Sequence, residues 1–228
     1  MNPIRVNIGS GFNGLNGWIN LDNSIVARIS KVKGLVRTLV RLRLLPDKYK
    51  KRTWPEIQIH DCRKGLPFRD NEVDAIYSSH FFEHVYRHEA LFILQECFRT
   101  LRRGGTIRVA LPDVKKIAWA YVHGETEALN TRKLRDDAVP FGLCDFFVMQ
   151  FYPVELNGSE PPSFVKRLQE VALARHKWMY DAETFSTMMS RAGFKSIQEM
   201  RCGQSKIKDA KLLDHKPETS FFLEAEKH

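Results

Sequence analysis

The stretch Val6–Asp22, VNIGSGFNGLNGWINLD, decides the reading of this chain: an apolar run breaks into a glycine-rich turn, and a second short apolar run closes on an acidic residue. In an open α/β sheet that order sets a turn at the carboxyl end of one strand beside the carboxylate that ends the next. Gly9 and Gly11 let backbone approach a ligand where a Cβ would clash. Asp22 can accept hydrogen bonds from ribose hydroxyls. The stretch predicts an adenosine-containing cofactor bound at the start of the chain.

Spacing decides which cofactor. Gly9, Gly11 and Gly14 satisfy the G-x-G-x-x-G pattern of dinucleotide-binding folds, but such a site needs a full helix after the glycines and an acid about 20 residues further on. Here Asp22 follows Gly14 by eight residues, and Phe12 to Gly17 is too short and glycine-rich for a helix. The anchor for a pyrophosphate is missing. A cofactor with ribose and adenine but no phosphate, such as S-adenosylmethionine, does not need it. A short-chain NAD-dependent oxidoreductase is further disfavoured because the sequence has no Tyr-x-x-x-Lys pair.

Strand candidates are Arg5 to Ile8, Trp18 to Leu21, Glu56 to Ile59, Ala75 to Ser78 and Thr106 to Ala110. Leu91, Leu94, Gln95, Phe98 and Leu101 recur at helical spacing within His88 to Leu101, with Gly104-Gly105 as the stop. Asp181 can cap a helix with Phe185, Met188, Met189 and Ala192 inward, ended by Gly193. This alternation predicts an α/β fold, a Rossmann-like doubly wound sheet in a single domain over residues 1–228. One tension stands out: a parallel crossover normally takes at least about 10 to 12 residues with its helix, yet only Phe12 to Gly17 joins the first two strands. Either that helix is reduced to a turn or the two strands pair otherwise.

Further motifs follow in order: EIQIHDCRKGLPFRDNEVDAIYSSHFFEHV (Glu56–Val85), ECFRTLRRGGTIRVALPD (Glu96–Asp113) and HKWMYDAETFSTMMSRAGF (His176–Phe194). As a set, over Ile4 to Ser24, Glu56 to Asp113 and His176 to Lys227, the chain resembles a class I S-adenosylmethionine-dependent methyltransferase of the group called methyltransferase domain type 11. The resemblance implies a mostly parallel sheet with an antiparallel C-terminal edge hairpin, from about Ser196 to Arg201 and Ser220 to Ala225, and S-adenosylmethionine as cofactor. It also implies site residues. Gly9, Ser10 and Gly11 would line the methionine and ribose, and Asp22 the ribose hydroxyls. Asp61 would take the adenine amino group and Cys62 the ring, with Ser78 and Ser79 wrapping the sulfonium.

Methyl transfer from a sulfonium is an in-line displacement in which alignment supplies much of the acceleration, and only a poor nucleophile such as a sugar hydroxyl needs a base. His80, just past the fourth strand, is the first candidate for that base, followed by His176 and Asp113. Asp113 reads equally as a helix cap, and Glu83-His84 as the start of a helix. Residues 114–175 would build the acceptor side. Their aromatic residues, including Trp119, Tyr121, Phe141, Phe146, Phe147, Phe151, Tyr152 and Phe164, suit a small-molecule, glycan or lipid-linked acceptor and equally suit a core.

The charge is localised. Between Ile25 and Pro55 ten Lys/Arg face one acid, and the rest of the chain balances, so the whole net charge of +9 lies there. On a helical projection Ile25, Ile29, Val32, Val36, Leu39 and Val40 form an apolar stripe roughly opposite Lys31, Arg37 and Arg41. This basic insert reads either as a solvated helix packed on the domain or as a contact to an anionic membrane surface or acidic substrate. Gly34 and Arg43 weaken a clean membrane helix. No nucleic-acid signature accompanies the charge, so no nucleic acid is expected.

Cys62, Cys97, Cys144 and Cys202 stand singly, without metal-ligand spacing, so no metal is expected. No run approaches the roughly 20 apolar residues of a membrane span, and Met1–Ile4 leads into the first strand rather than a signal peptide. A cytoplasmic protein, peripheral at most to the inner face of the membrane, is the expectation. The functional expectation is an O-methyltransferase; a catalytically silent cofactor-binding or membrane-surface scaffold is the alternative.

Overall fold

The computed structural model describes residues 3–32, 34–42, 44–45, 49, 55–125, 142–151 and 176–228. Seven strands form one sheet: β1 (Arg5–Ile8), β2 (Ile19–Asp22), β3 (Ile57–Ile59), β4 (Val73–Ser79), β5 (Leu101–Pro112), β6 (Lys195–Glu199) and β7 (Ser220–Glu226). Their order across the sheet is β3-β2-β1-β4-β5-β7-β6, parallel except for β7, which runs antiparallel between β5 and β6. The fold is the doubly wound, mostly parallel sheet with an antiparallel C-terminal edge that the sequence implied. Val6 and Ile8 of β1, Leu21 of β2 and Ile76 of β4 are fully buried, as the central strands of a sheet covered on both faces must be.

Strands β1 and β2 pair directly in parallel, Val6 opposite Ile19 and Ile8 opposite Leu21, and no helix lies between them. A single side chain does the work of the missing helix. The Asn20 amide donates to the carbonyls of Leu15, Trp18 and Glu56 at 3.1, 3.2 and 3.1 Å, and its oxygen accepts from Leu15 N–H at 3.2 Å. A Cβ on Gly14 would lie 2.6 Å from the Asn20 side chain and 2.7 Å from Pro55, so the third glycine of the apparent dinucleotide pattern serves this packing.

The remaining helices are α1 (Ile25–Ser30), α2 (Leu35–Arg41), α3 (Arg87–Thr100), α4 (Val114–His123), α5 (Leu143–Phe151), α6 (Ala182–Arg191) and α7 (Ala210–Leu213). Helices α3 and α6 cover one face, where Ile93, Leu94, Phe82, Phe185, Met189 and Phe221 join the main core. The buried face of α3 is Ala90, Ile93, Leu94 and Cys97, while Gln95 is exposed, so the inward stripe lies beside the expected one. Its stop also differs: β5 begins at Leu101 and runs through Gly104-Gly105. Helix α6 is as expected, capped by Asp181, whose carboxylate accepts from Thr184 N–H at 2.8 Å.

On the opposite face Arg108 is fully buried and paired with Asp214 at 2.6 Å and Glu224 at 3.2 Å, and the Tyr77 hydroxyl donates to Asp214 at 3.2 Å. These bonds fasten the segment before β7 onto the sheet. The basic insert, placed between β2 and β3, is two short helices rather than one. Gly34, at φ +82, starts the second. Val26, Val36 and Val40 turn inward on Tyr49 and on Phe12 of the glycine turn, while Ile25 and Val32 of the expected stripe are exposed. Lys33, Arg43, Lys48 and Lys50 to Arg52 lie outside the described residues, as do Phe141, Tyr152 and Phe164 of the expected acceptor side. Within the described part of 114–175, Phe146, Phe147 and Phe151 of α5 pack on Ile117 and Ala120 of α4.

Candidate active site

The glycine turn and Asp22 meet at the carboxyl ends of β1 and β2. Gly9 and Ser10 N–H both donate to the Leu21 carbonyl, at 2.9 and 3.2 Å. Gly11 N–H donates to Asp22 Oδ2 at 2.8 Å, and Ser24 N–H to Oδ1 at 2.7 Å. The carboxylate thus shapes the turn, and each oxygen keeps a second lone pair for a ligand. Gly9 and Gly11 both have positive φ, +67 and +50. They differ in surroundings: a Cβ on Gly9 would sit 2.5 Å from the Phe81 ring, whereas one on Gly11 would meet nothing within 4 Å. Ser10 Oγ is buried without a hydrogen-bond partner among the described residues. Gly11 thus borders open space next to a residue whose buried hydroxyl is unpartnered.

Next along the sheet, Asp61 follows β3 and caps a single 3-10 turn, Cys62–Lys64. Arg63 donates to it from Nε and Nη2, both at 2.8 Å, and this guanidinium holds the Asp61 carboxyl below the usual range. Burial, with the Asp61 and Asp22 charges nearby, pushes the Cys62 thiol up to about 12, so it is no nucleophile at neutral pH and only its backbone is available to a ligand. Ser78 is committed to the sheet, its hydroxyl donating to the Ile8 carbonyl at 3.1 Å. Ser79 ends β4 beside it.

His80 sits at φ +50, its N–H donating to the Ala110 carbonyl at 2.9 Å. Its imidazole lies between two partners, Ser220 Oγ at 3.2 Å from Nε2 and Glu83 Oε1 at 3.2 Å from Nδ1. Glu83 is the residue that sequence reasoning passed over. Rather than orienting a helix, its side chain is 1% exposed in a short turn, Phe82–His84, and His84 Nε2 lies 4.0 Å from its Oε1. His176 completes the group, its ring 5.0 Å from that of His84. The signal available in sequence was a glutamate following the apolar pair Phe81-Phe82, with His80 three residues before it and His84 directly after. Asp113, the other base candidate, caps α4, accepting from Lys115 N–H at 3.0 Å. It also borders a cleft of about 500 Å³, with Trp119, Asp181, Glu199 and Glu218, at the carboxyl end of β5.

Gly9, Ser10, Gly11, Asp22, Asp61, Cys62, Ser79 and His80 therefore all fall at the carboxyl ends of four adjacent strands, the edge where open α/β sheets bind ligands. Residues 9–109, which contain every one of them, match the methyltransferase domain family. The fold is similar to that of a SAM-dependent methyltransferase from Archaeoglobus fulgidus, at 14% identity over 99% of this chain and 87% of that one, with a TM-score of 0.52. A SAM-dependent methyltransferase from Thermotoga maritima is 13% identical over 99% of this chain and 82% of that one, with a TM-score of 0.46. No curated protein sequence matches the chain. Over residues 9–109 the chain is similar to the methyltransferase domain family, and its fold is that of the class I, S-adenosylmethionine-dependent type.

Proposed function

We propose that this protein transfers a methyl group from S-adenosylmethionine to a hydroxyl of a small-molecule, glycan or lipid-linked acceptor. The observation that carries the reading is where the N–H donors of the glycine turn go. Those of Gly9, Ser10 and Gly11 are held within the protein, by Leu21 and Asp22, and no helix begins before Ile25. A pyrophosphate depends on such donors and on a helix N-terminus. What remains on this edge is mostly acceptor capacity, at Asp22, Asp61 and Ser10, which suits an ammonium, ribose hydroxyls and an adenine amino group.

Bound there, S-adenosylmethionine supplies the methyl as an electrophile on a sulfonium. The chain's part is to align the acceptor hydroxyl with it, exclude water and take the hydroxyl proton. His80 is the group we assign to the proton, with Glu83 orienting and polarising its imidazole from Nδ1. Its Nε2 is reached through, or in exchange for, the Ser220 hydroxyl. The exposed Arg37 and Arg41 of α2 support attraction of an acidic glycan, glycolipid or membrane surface on the cytoplasmic side. Among the described residues no helix is long and apolar enough to cross a membrane.

Calorimetric titration with S-adenosylhomocysteine and NAD, followed by turnover against an acceptor panel, tests the reading. Saturable binding of the first alone, and methylated product that falls in rate but not in cofactor affinity for His80→Gln, is expected. Binding of NAD alone would overturn it. Tight binding with no turnover on any hydroxyl acceptor would favour the scaffold.

A further inference from the structure

We propose that Glu83, His84 and His176 form a binding site for a divalent transition ion, zinc by its ligand set, at the carboxyl end of β4. One ligand atom from each residue lies within 4.8 Å of the other two. Two imidazoles and one carboxylate are a set that zinc takes in sites with an open position. This inference goes beyond methyl transfer and does not depend on it.

Three observations support the site independently of proximity. First, both carboxylate oxygens of Glu83 are buried, and beyond the imidazoles of His80, 3.2 Å away, and His84, 4.0 Å away, they have no hydrogen-bond partner among the described residues. A buried carboxylate in that state calls for a cation. The cations on adjoining residues do not answer it: Lys177 Nζ rests over the Tyr86 ring at 4.4 Å, and the Arg87 guanidinium over Trp178 at 5.9 Å. Second, His176 Nδ1 lies 2.8 Å from the Gln150 carbonyl, which fixes the proton on Nδ1 and leaves the lone pair on Nε2. That is the arrangement in which histidine ligands are normally oriented. Third, the backbone already holds the two segments together, since Lys177 and Trp178 N–H donate to the Glu83 carbonyl at 2.7 and 3.3 Å. Closing the site on bonds of about 2.0–2.1 Å brings ligand atoms to roughly 3.3 Å apart, an adjustment of up to about 1.5 Å within reach of side-chain torsions.

The test uses untagged full-length protein stripped with chelator. Calorimetric titration with Zn²⁺ is expected to give one equivalent per chain and a higher melting temperature. Substitution with Co²⁺ should give visible d–d absorption. His84→Ala and His176→Ala should each weaken zinc binding at least about 100-fold, the upper end of what loss of a mere orienting partner does. S-adenosylhomocysteine affinity, titrated in parallel, should stay unchanged in His176→Ala, so that failure of the metal site and failure of the cofactor site are separable. If one histidine variant does not fold, the other with Glu83→Gln replaces it. Absence of saturable zinc binding by the wild type, or wild-type affinity in the histidine variants, which would place the ion elsewhere, for instance on the exposed Cys144 or Cys202, overturns the proposal.

Discussion

Gly9 and Gly11 share a positive φ yet should respond differently to alanine. At Gly9 the new methyl adds two costs: the left-handed backbone, about 1–2 kcal/mol for a residue with a Cβ, and a 2.5–2.6 Å approach to Phe81 Cδ2, Cβ and Cγ, which must move. Overpacking of that kind costs about 1–3 kcal/mol, so Gly9→Ala should lose roughly 2–5 kcal/mol. At Gly11 only the backbone cost applies, because nothing lies within 4 Å of the new atom. That open space is where the cofactor is assigned. Gly11→Ala should therefore keep most of its stability and lose S-adenosylhomocysteine affinity, by tenfold or more if about 1.4 kcal/mol of contact is displaced. Urea denaturation followed by circular dichroism gives the stabilities, and calorimetry the affinities. A double-mutant cycle with Phe81→Ala, which removes the ring but keeps Cβ, isolates the share of Cγ and Cδ2: the pair should be less destabilised than the sum by up to about 1–3 kcal/mol. If Gly9→Ala costs no more than Gly11→Ala, or if the cycle shows no coupling, the Phe81 contact is not what requires glycine at that position. If Gly11→Ala binds as wild type does, the ligand does not lie over the turn.

Asp61→Ala should weaken S-adenosylhomocysteine binding while leaving stability within about 1 kcal/mol, because its partner Arg63 is substantially exposed and such pairs contribute little. Denaturation and titration of the one variant check both halves. Arg108→Met should lose about 3–5 kcal/mol in urea, since it leaves the buried Asp214 and Glu224 without their counter-charge. The Arg99 guanidinium, bonded to Glu96 at 2.7 Å, holds that carboxyl below its ordinary value of 4.5. A depressed carboxyl contributes stability that is fully present above its unfolded pKa and is lost as pH falls through the folded one. Below about pH 4.5 the stability of Glu96→Gln should accordingly fall less steeply than that of the wild type, as read from urea midpoints across pH. Finally, Arg37→Glu with Arg41→Glu should abolish any sedimentation with anionic liposomes, and salt should do the same to the wild type, the Debye length being about 8 Å at physiological ionic strength. Cofactor affinity should not change.

The features legible in the sequence are those whose cause is local. Asp181 caps α6 because a side chain two to three residues from free N–H groups needs no tertiary help, and β1 was placed to the residue by its apolar run and the glycine after it. Strand ends led to the candidate site because in a parallel sheet position along the chain fixes position on the ligand edge. Features set by distant partners are not legible there. The apolar stripe from Ile25 to Val40 was projected on one helix, but Gly34 turns the chain left-handed and half the stripe folds onto Phe12 and Tyr49. The inward face of α3 is selected by what packs on it from β5 and α6, which periodicity alone does not contain.

Glu83 shows most clearly where such reading ends. In FFEHV it looks like a polar residue opening a helix, because sequence statistics treat a glutamate among apolar neighbours as one that will find solvent. Its burial is imposed from far along the chain: the backbone N–H groups of Lys177 and Trp178 bind its own carbonyl and close the segment over it, bringing His176 with them. The same closure sets the His80 imidazole against the Glu83 carboxylate on one side and Ser220 of β7 on the other. A histidine so held has its tautomer determined by Glu83 and Ser220, from two separate segments, neither of which announces the role. The glycine turn could be read as a binding site from its spacing, because a cofactor contacts backbone that local sequence shapes. Position in the sequence points to His80, but its pairing with Glu83 is not legible there, because it depends on a charge that only the folded chain removes from water.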